Sequence, residues 1–420
     1  MRTALLLLVS ALLLGCSDGK APPRASPKAA GAKVTPFVPK GPPAPEVIES
    51  TNRFALDLYA EMAKREQGNV FFSPLSISTG LAMAYAGAGG QTKSEIAQVL
   101  HVAGPEPELH RTFAALRRDV HSRNATGWRV LLANRIWAQH DYDFHPEFFD
   151  LLAGHYQAEP AQVDFAGDTA GARRQINAWV REQTRGKIKD LVPDDVLWPS
   201  TRMVLTMAIY FASDWDHPFE TGLTEEAAFY IAPERQVQVP MMNQAGSFAY
   251  FRGDGFQVLA LPYQRDRFSM VLLLPDEMDG IAELEAQLDA DQLRQWLAAM
   301  RHEHVDLFMP RFRLEARIDL REVLQSMGMQ AAFDPNTAQF PRITSSEHLF
   351  ISAALHKAYV DVDEQGTEAA AADVWASDGA EADDDKPPVF RADHPFLFLI
   401  RHNRTGAILF LGRLAVPNQH

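Results

Sequence analysis

DEQGTEAAAA, Asp363 to Ala372, decides the reading of this chain. A charged turn around Gly366 leads through Thr367 and Glu368 into four alanines, Ala369, Ala370, Ala371 and Ala372. A polar, acidic run then reaches Pro388 before the sequence turns strongly apolar. Glycine supplies a turn at no steric cost, and alanine carries the least side chain into space already filled, so the segment suits entry between packed strands. The same letters also fit an alanine-rich surface helix followed by a solvated acidic loop.

Outward from this segment the chain alternates between helical and extended patterns. Toward the C-terminus, FRADHPFLFLI (390–400) and AILFL (407–411) read as strands. In the other direction, Val305 to Phe312, Phe268 to Leu274, Phe256 to Leu261, Met203 to Phe211 and Trp128 to Ala138 read as strands, with helices over Gly280 to Met300 and Asp168 to Lys187. Phe54, Leu58 and Met62 recur at helical spacing behind possible caps at Thr51 and Asn52, so a first helix runs to about Lys64. Irregular switching between the two periods argues for a large α+β fold rather than a barrel or doubly wound sheet.

Several stretches resemble the serpin family of serine-protease inhibitors, in the family's order. They are NVFFSPLSISTGLAMAYAGAGGQTKSEIAQVL (69–100), NAWVREQTRGKIKDLVP (177–193), the Asp363–Ala372 segment and the two C-terminal strands. The likeness runs from Glu46 to Pro417. It implies a large central mixed sheet, additional sheets, surrounding helices and an exposed reactive loop. It also implies a suicide substrate: a serine protease attacks the loop, an acyl-enzyme forms, and the loop inserts into the central sheet and carries the protease away. The chemistry would belong to the target's nucleophile, so the chain itself would not be an enzyme. Filling a gap in a sheet uses backbone groups that were left unpaired, which is where the driving energy would come from.

Carried over by that resemblance, Glu364, Gly366, Thr367, Glu368 and Ala369 to Ala372 are the hinge of the loop. Thr367 is expected in water in the starting state. Ser73, Ser76 and His356 match the region where the sheet opens, and Trp215 the point where insertion begins. Read without the family, Ser73 and Ser76 are equally a helix cap and a buried hydroxyl, and Trp215 a core aromatic. Met207 departs from the family pattern, which has an asparagine pairing with the histidine matched by His356, so His356 needs another acceptor. Counting forward from the hinge selects Ala380-Glu381 as the scissile bond, and counting back from Pro395-Phe396 selects Asp384-Asp385. The first is favoured, since the hinge distance fixes how much strand can insert. A small residue there suits an elastase-like or subtilisin-like target, while Lys386 keeps a trypsin-like one open. Asp373 and Trp375 share the alternation of Thr367, and either can hinder insertion. The competing expectation is therefore a non-inhibitory binding or structural protein on the same fold.

The first sixteen residues, MRTALLLLVSALLLGC, join a basic Arg2 to an apolar run too short for a comfortable membrane span. Leu13-Leu14-Gly15-Cys16 resembles a bacterial lipobox, and Cys16 is the only cysteine of 420 residues, so no intrachain disulfide forms. The expectation is a lipoprotein signal over residues 1–16 lipidated at Cys16, a disordered Pro- and Ala-rich tether over 17–45, and an inhibitory domain over 46–420. Such a protein would be exported, anchored to lipid outside the cytoplasm and monomeric. A net charge of −14 without interleaved basic and aromatic residues argues against a nucleic-acid partner.

Other motifs carry nothing further. GAGGQTKS (87–94) misses a phosphate-binding loop at Thr92 and does not follow a strand. H-E-x-x-H is absent. His302-Glu303-His304 lacks a nominated third ligand, and Asp383-Asp384-Asp385 lacks the spacing of a calcium loop, so neither a metal nor another cofactor is expected.

Overall fold

The computed structural model describes residues 36–122, 127–345, 349–367 and 387–417. A six-stranded mixed sheet holds, in spatial order, β10 (Phe312–Asp319), β11 (Ile351–Val362), β12 (Gly366–Thr367), β4 (Met203–Asp214), β2 (Trp128–Gln139) and β3 (Ala161–Val163). Strand β4 is buried on both faces, which is why it reads as a nearly continuous apolar run. Met203, Leu205 and Met207 enter a core shared with α1 (Pro45–Ala63) and α2 (Pro74–Gly87). Val204, Ala208 and Tyr210 pack with Ala172, Ile176 and Val180 of α6 (Thr169–Gln183) on the opposite face.

The second sheet has nine strands. Its order is β1 (Val70–Phe72), β15 (Ile408–Leu414), β14 (Phe396–His402), β8 (Phe268–Pro275), β7 (Phe256–Pro262), β6 (Arg235–Arg252), β9 (Arg301–Pro310) and β13 (Val389–Arg391), with β5 (Glu225–Ala232) paired to β6. A core containing Ile209, Phe211, Trp215, Tyr263 and Phe312 joins the two sheets. The other helices are α3 (Gly90–Val99), α4 (Glu106–Val120), α5 (Pro146–Leu151), α7 (Ile281–Gln287), α8 (Ala290–Ala299) and α9 (Arg321–Ser326).

The expected α+β class is what the structure has, with local differences. Helix α1 begins at Pro45, so Thr51 and Asn52 lie inside it. The Asn52 amide instead donates to the Gly406 carbonyl and accepts from Ile408 N–H. The helix expected over Gly280 to Met300 breaks at Leu288, and Asp289 caps α8. The long strand β6 was not anticipated. It pairs with β5, β9 and β7 along successive stretches, so no single alternation runs its length, and Pro240 and Gly246 read as breakers.

Residues 36–44, read above as the end of the tether, lie against α4. Arg111 donates to the carbonyls of Lys40 and Pro42, Arg118 to those of Pro39 and Gly41, and the Phe37 ring stacks on His155 at 4.4 Å. Extended proline-rich chain has carbonyls without ladder partners, and two guanidinium groups seven residues apart on one helix face supply donors.

Candidate functional site

The residues singled out gather along one seam, between β4 and β11. These strands are direct parallel neighbours from Met203 to Tyr210, with His356 opposite Met207. Beyond Tyr210 they part, and β12 stands between them: Gly366 faces Asp214, and Thr367 faces Ser213 on one side and Val362 on the other. Glycine is required by close approach here. A Cβ on Gly366 would come within 2.2 Å of the Ser213 carbonyl oxygen and 2.7 Å of Asp214 Cα.

Thr367 is not in water, as was expected, but fully buried, with its hydroxyl 2.7 Å from that of Tyr263. The register of β12 turns it toward the core between the sheets. Tyr263 stacks on Trp215 with centroids 4.3 Å apart, and burial pushes its phenol far up. Trp215 holds the turn from below: its indole N–H donates to the Asp363 carbonyl at 2.9 Å and its backbone N–H to the Gln365 carbonyl at 2.8 Å.

Glu364 is 4% exposed, and its carboxylate accepts from both Arg311 and Thr224. Burial opposes the charge, but the hydrogen bonds from Arg311 and Thr224 outweigh it and the pKa is lowered. Asp363 and Asp214 behave oppositely. Burial raises both, each nearby carboxylate adds to the rise, and the Asp363 side chain accepts from Gln365 and Gly366 N–H. The mouth of the seam therefore holds one ionised, paired carboxylate and two others biased toward protonation.

The closed part begins at Tyr210, and His356 stands opposite Met207, six to seven residues down the seam. The His356 ring is fully buried: Ser73 N–H donates to Nε2 at 3.0 Å, which leaves the proton on Nδ1, and Nδ1–H donates to the Met207 backbone carbonyl at 2.8 Å. Met207 thus supplies the acceptor with its main chain. Desolvation drives the imidazole pKa down to about 3 despite the carbonyl. The Ser73 hydroxyl accepts from Ser76 N–H as the N-cap of α2 and donates to the Leu409 carbonyl. The asparagine missing at Met207 is met one strand over. Asn134 on β2 lies opposite Met207, accepts from the Ser76 hydroxyl at 2.8 Å and donates to the Ser76 carbonyl at 2.9 Å. Gly80 of α2 makes room for the Met207 side chain, since a Cβ there would lie 2.5 Å from its Sδ.

Ser73, Ser76, Trp215, His356, Glu364, Gly366 and Thr367 are thus brought onto one seam. Glu368, Ala369 to Ala372, Ala380, Glu381, the Asp383 to Asp385 run and Cys16 lie outside the described residues. Sequence reasoning missed Asn134, Arg311, Tyr263 and Thr224. Each is an ordinary residue of its strand or loop. Only the alternation of β2 against the Met207 departure offered a signal, for Asn134. Among the described residues no cluster of three or more His, Cys, Asp or Glu can hold a metal ion, and His302 and His304 lie inside β9 rather than before it.

Residues 49–417 match the model of the family described as serpin (serine protease inhibitor). An uncharacterized serpin-like protein of Thermococcus kodakarensis is 41% identical over 372 residues, 88% of this chain and 86% of that one. The human leukocyte elastase inhibitor is 37% identical over 382 residues, 89% of this chain and 100% of its own. Among solved structures, uncleaved ovalbumin superposes with a TM-score of 0.82 at 30% identity, covering 89% of this chain and all of the other. These relatives overturn the expected location. The leader and Cys16 implied a protein anchored to lipid outside the cytoplasm, yet the leukocyte elastase inhibitors among the relatives are intracellular serpins. The family match begins at residue 49, past that cysteine. From its strand order, its seam and these likenesses, the chain belongs to the serpin family, protease inhibitors that meet serine proteases as pseudo-substrates and not as enzymes.

Proposed function

We propose that this protein is a suicide substrate: a serine protease attacks the loop that follows β12 and is itself acylated by it, the amine side of the cleaved peptide bond leaving, and the loop then inserts between β4 and β11. The observation that carries the reading is the half-parted seam, with two residues already seated where the rest would follow. Continuing the register supports it. Ala369 would face Phe211 and Val360, and Ala371 would face Ile209 and Ala358, so small residues meet mostly bulky neighbours. Ala380 follows Thr367 by thirteen residues, and the same count from Ser213 runs three residues past Met203, the end of β4. A protease bound at Ala380 would be carried about 43 Å, down the length of the sheet.

That distance favours Ala380-Glu381 over Asp384-Asp385 as the scissile bond. A small residue before the bond, together with the relatives named leukocyte elastase inhibitors, supports an elastase-like target, with a subtilisin-like enzyme as the next choice. Incubation with elastase-like, subtilisin-like and trypsin-like proteases should give a denaturation-resistant complex with the mass of protease plus cleaved inhibitor. Cleavage by every active protease without that complex would end the trapping reading. A non-inhibitory protein is then the second reading. Asp373 and Trp375 favour it, since on the same register they would face Met207 with His356, and Leu205 with Ala354, on the core side.

A further inference from the structure

Strand β9 is paired to β6 at every residue from Arg301 to Pro310, without a bulge, so its faces alternate strictly. Val305, Leu307 and Met309 enter the core between the sheets. His302, His304 and Asp306 therefore share the opposite face, and both histidines are exposed. Their cross-strand partners are Ala249 and Ser247, with Ala245 opposite Asp306. Three small side chains in a row leave the space beside the two imidazoles open. Among the described residues neither ring has a hydrogen-bond or ion-pair partner. Histidines elsewhere are met: His101 by Asp57, His110 by Tyr156, His394 by Asp393 and His402 by Thr405.

Two imidazoles at alternate positions of one strand have the spacing of a chelate. The rise of a strand puts their Cα atoms about 6.7 Å apart. Side chains there stand off the sheet and lean along the strand. Rings leaning toward each other bring their outer nitrogens to roughly 3 Å, the separation set by two metal–nitrogen bonds of about 2 Å at adjacent coordination positions. The ladder to β6 fixes the backbone, so the pair is organised before an ion arrives. No third protein ligand stands by among the described residues, and water fills the remaining positions. Asp306, next in the row, and the net charge of −14 add a field that favours a cation.

We propose that His302 and His304 form a surface site for a late first-row divalent metal ion, Cu2+ before Ni2+ or Zn2+. Neutral imidazole suits these ions, whereas Ca2+ and Mg2+ require oxygen ligands that the pair does not supply. Neither the seam nor the loop takes part, so the site is independent of the trapping reading. Its place on β9 is nonetheless close to where the chain re-enters the sheet after the loop. The Asp306 N–H donates to the Pro388 carbonyl at 3.0 Å, and β13 runs on from there. An occupied site puts a dication two residues along β9 from that anchor.

The test titrates the full chain with CuCl2 and with NiCl2 at neutral pH, followed by calorimetry, with electron paramagnetic resonance of the Cu2+ form as the structural readout. One tightest ion per chain is expected, with couplings from two imidazole nitrogens. His302→Ala and His304→Ala should each weaken it about a hundredfold, because the second imidazole acts at high effective concentration. His217→Asn, which removes an exposed histidine elsewhere, should leave binding unchanged. Register supplies a second check. Asp306→His in the His302→Ala background should restore the affinity, since residues 304 and 306 share a face, while Glu303→His in that background should not. Unchanged affinity in both alanine variants would overturn the site and assign the ion to other groups of the chain. Restoration by Glu303→His as full as that by Asp306→His would overturn the strand chelate.

Discussion

The two ends of the β4–β11 seam are the same pair of strands in two conditions. At the mouth they are parted by Gly366 and Thr367, and the gap is lined by Glu364 with Arg311, by Asp363 and Asp214, and by the Trp215–Tyr263 stack. Around Met207 they are paired directly, buried, and crossed by one imidazole-to-carbonyl bond. The difference teaches that closure here is held by the backbone ladder from Met203 to Tyr210, with one side-chain bond, from His356 to the Met207 carbonyl, across it. Strands that part at one end for two residues can part further once those contacts are replaced.

The sharpest way to break the comparison is Gly366→Val. With the β4 backbone 2.2 Å from the new Cβ, either the native state loses about 3 kcal/mol or β12 leaves the slot. Urea midpoints and proteolysis around residues 363–367 read the two outcomes, and an unchanged midpoint with an unchanged digestion pattern would remove the close-approach argument. Thr367→Arg belongs beside it. Because Thr367 is buried, the arginine should destabilise the uncleaved protein as well as impair trapping, and a variant that lost only trapping would mean Thr367 is exposed after all.

Next in size is Glu364→Gln, which leaves Arg311 facing a neutral partner and should cost about 2 kcal/mol. Its pH dependence has a definite sign. The Glu364 pKa is held below 4.5, so its contribution is complete above that value and is lost as pH falls through the lowered one. The parent should lose stability on that acid limb and E364Q should lose less, with both followed by denaturant unfolding from pH 6 to 3. Parallel curves would mean the ion pair does not hold the mouth.

Smaller effects are expected in the zipped part. Asn134→Ala and Ser76→Ala should each cost about 1 kcal/mol and be clearly non-additive, because both remove the bond from the Ser76 hydroxyl to Asn134, while Asn134→Ala also removes the one to the Ser76 carbonyl. Both should speed loop insertion, read as the rate of complex formation with a trapped protease. Additive losses would show that the two side chains stabilise separate things.

Glu106→Gln, away from the seam, sharpens the contrast. His110, then Lys93 and Arg342, hold the Glu106 pKa down to about 2. Its contribution, about 1 kcal/mol after solvent screening, should be complete above 4.5 and vanish toward pH 2. Unfolding should shift while complex formation stays unchanged, and an altered trapping rate would extend the responsive region beyond the seam.

Composition, local spacing and family likeness made the hinge legible, because its physics is local. Gly366 must approach the β4 backbone. Ser73 capping α2 and the apolar run of β4 were legible for the same reason. What the chain alone could not reveal was who answers whom across it. Arg311 lies 53 residues from Glu364, Tyr263 lies 104 from Thr367, and Ser73 lies 283 from His356. No local pattern marks a threonine, tyrosine or asparagine as one half of such a pair. Sequence by itself determined the α+β class, most of the strands and the glycine at the close approach, since those depend on side-chain size and period. Tertiary structure alone decided that Asn134 pairs with Ser76, that a main-chain carbonyl serves His356, and that Thr367 is already inside, because burial and hydrogen-bond partners exist only once distant strands are in register.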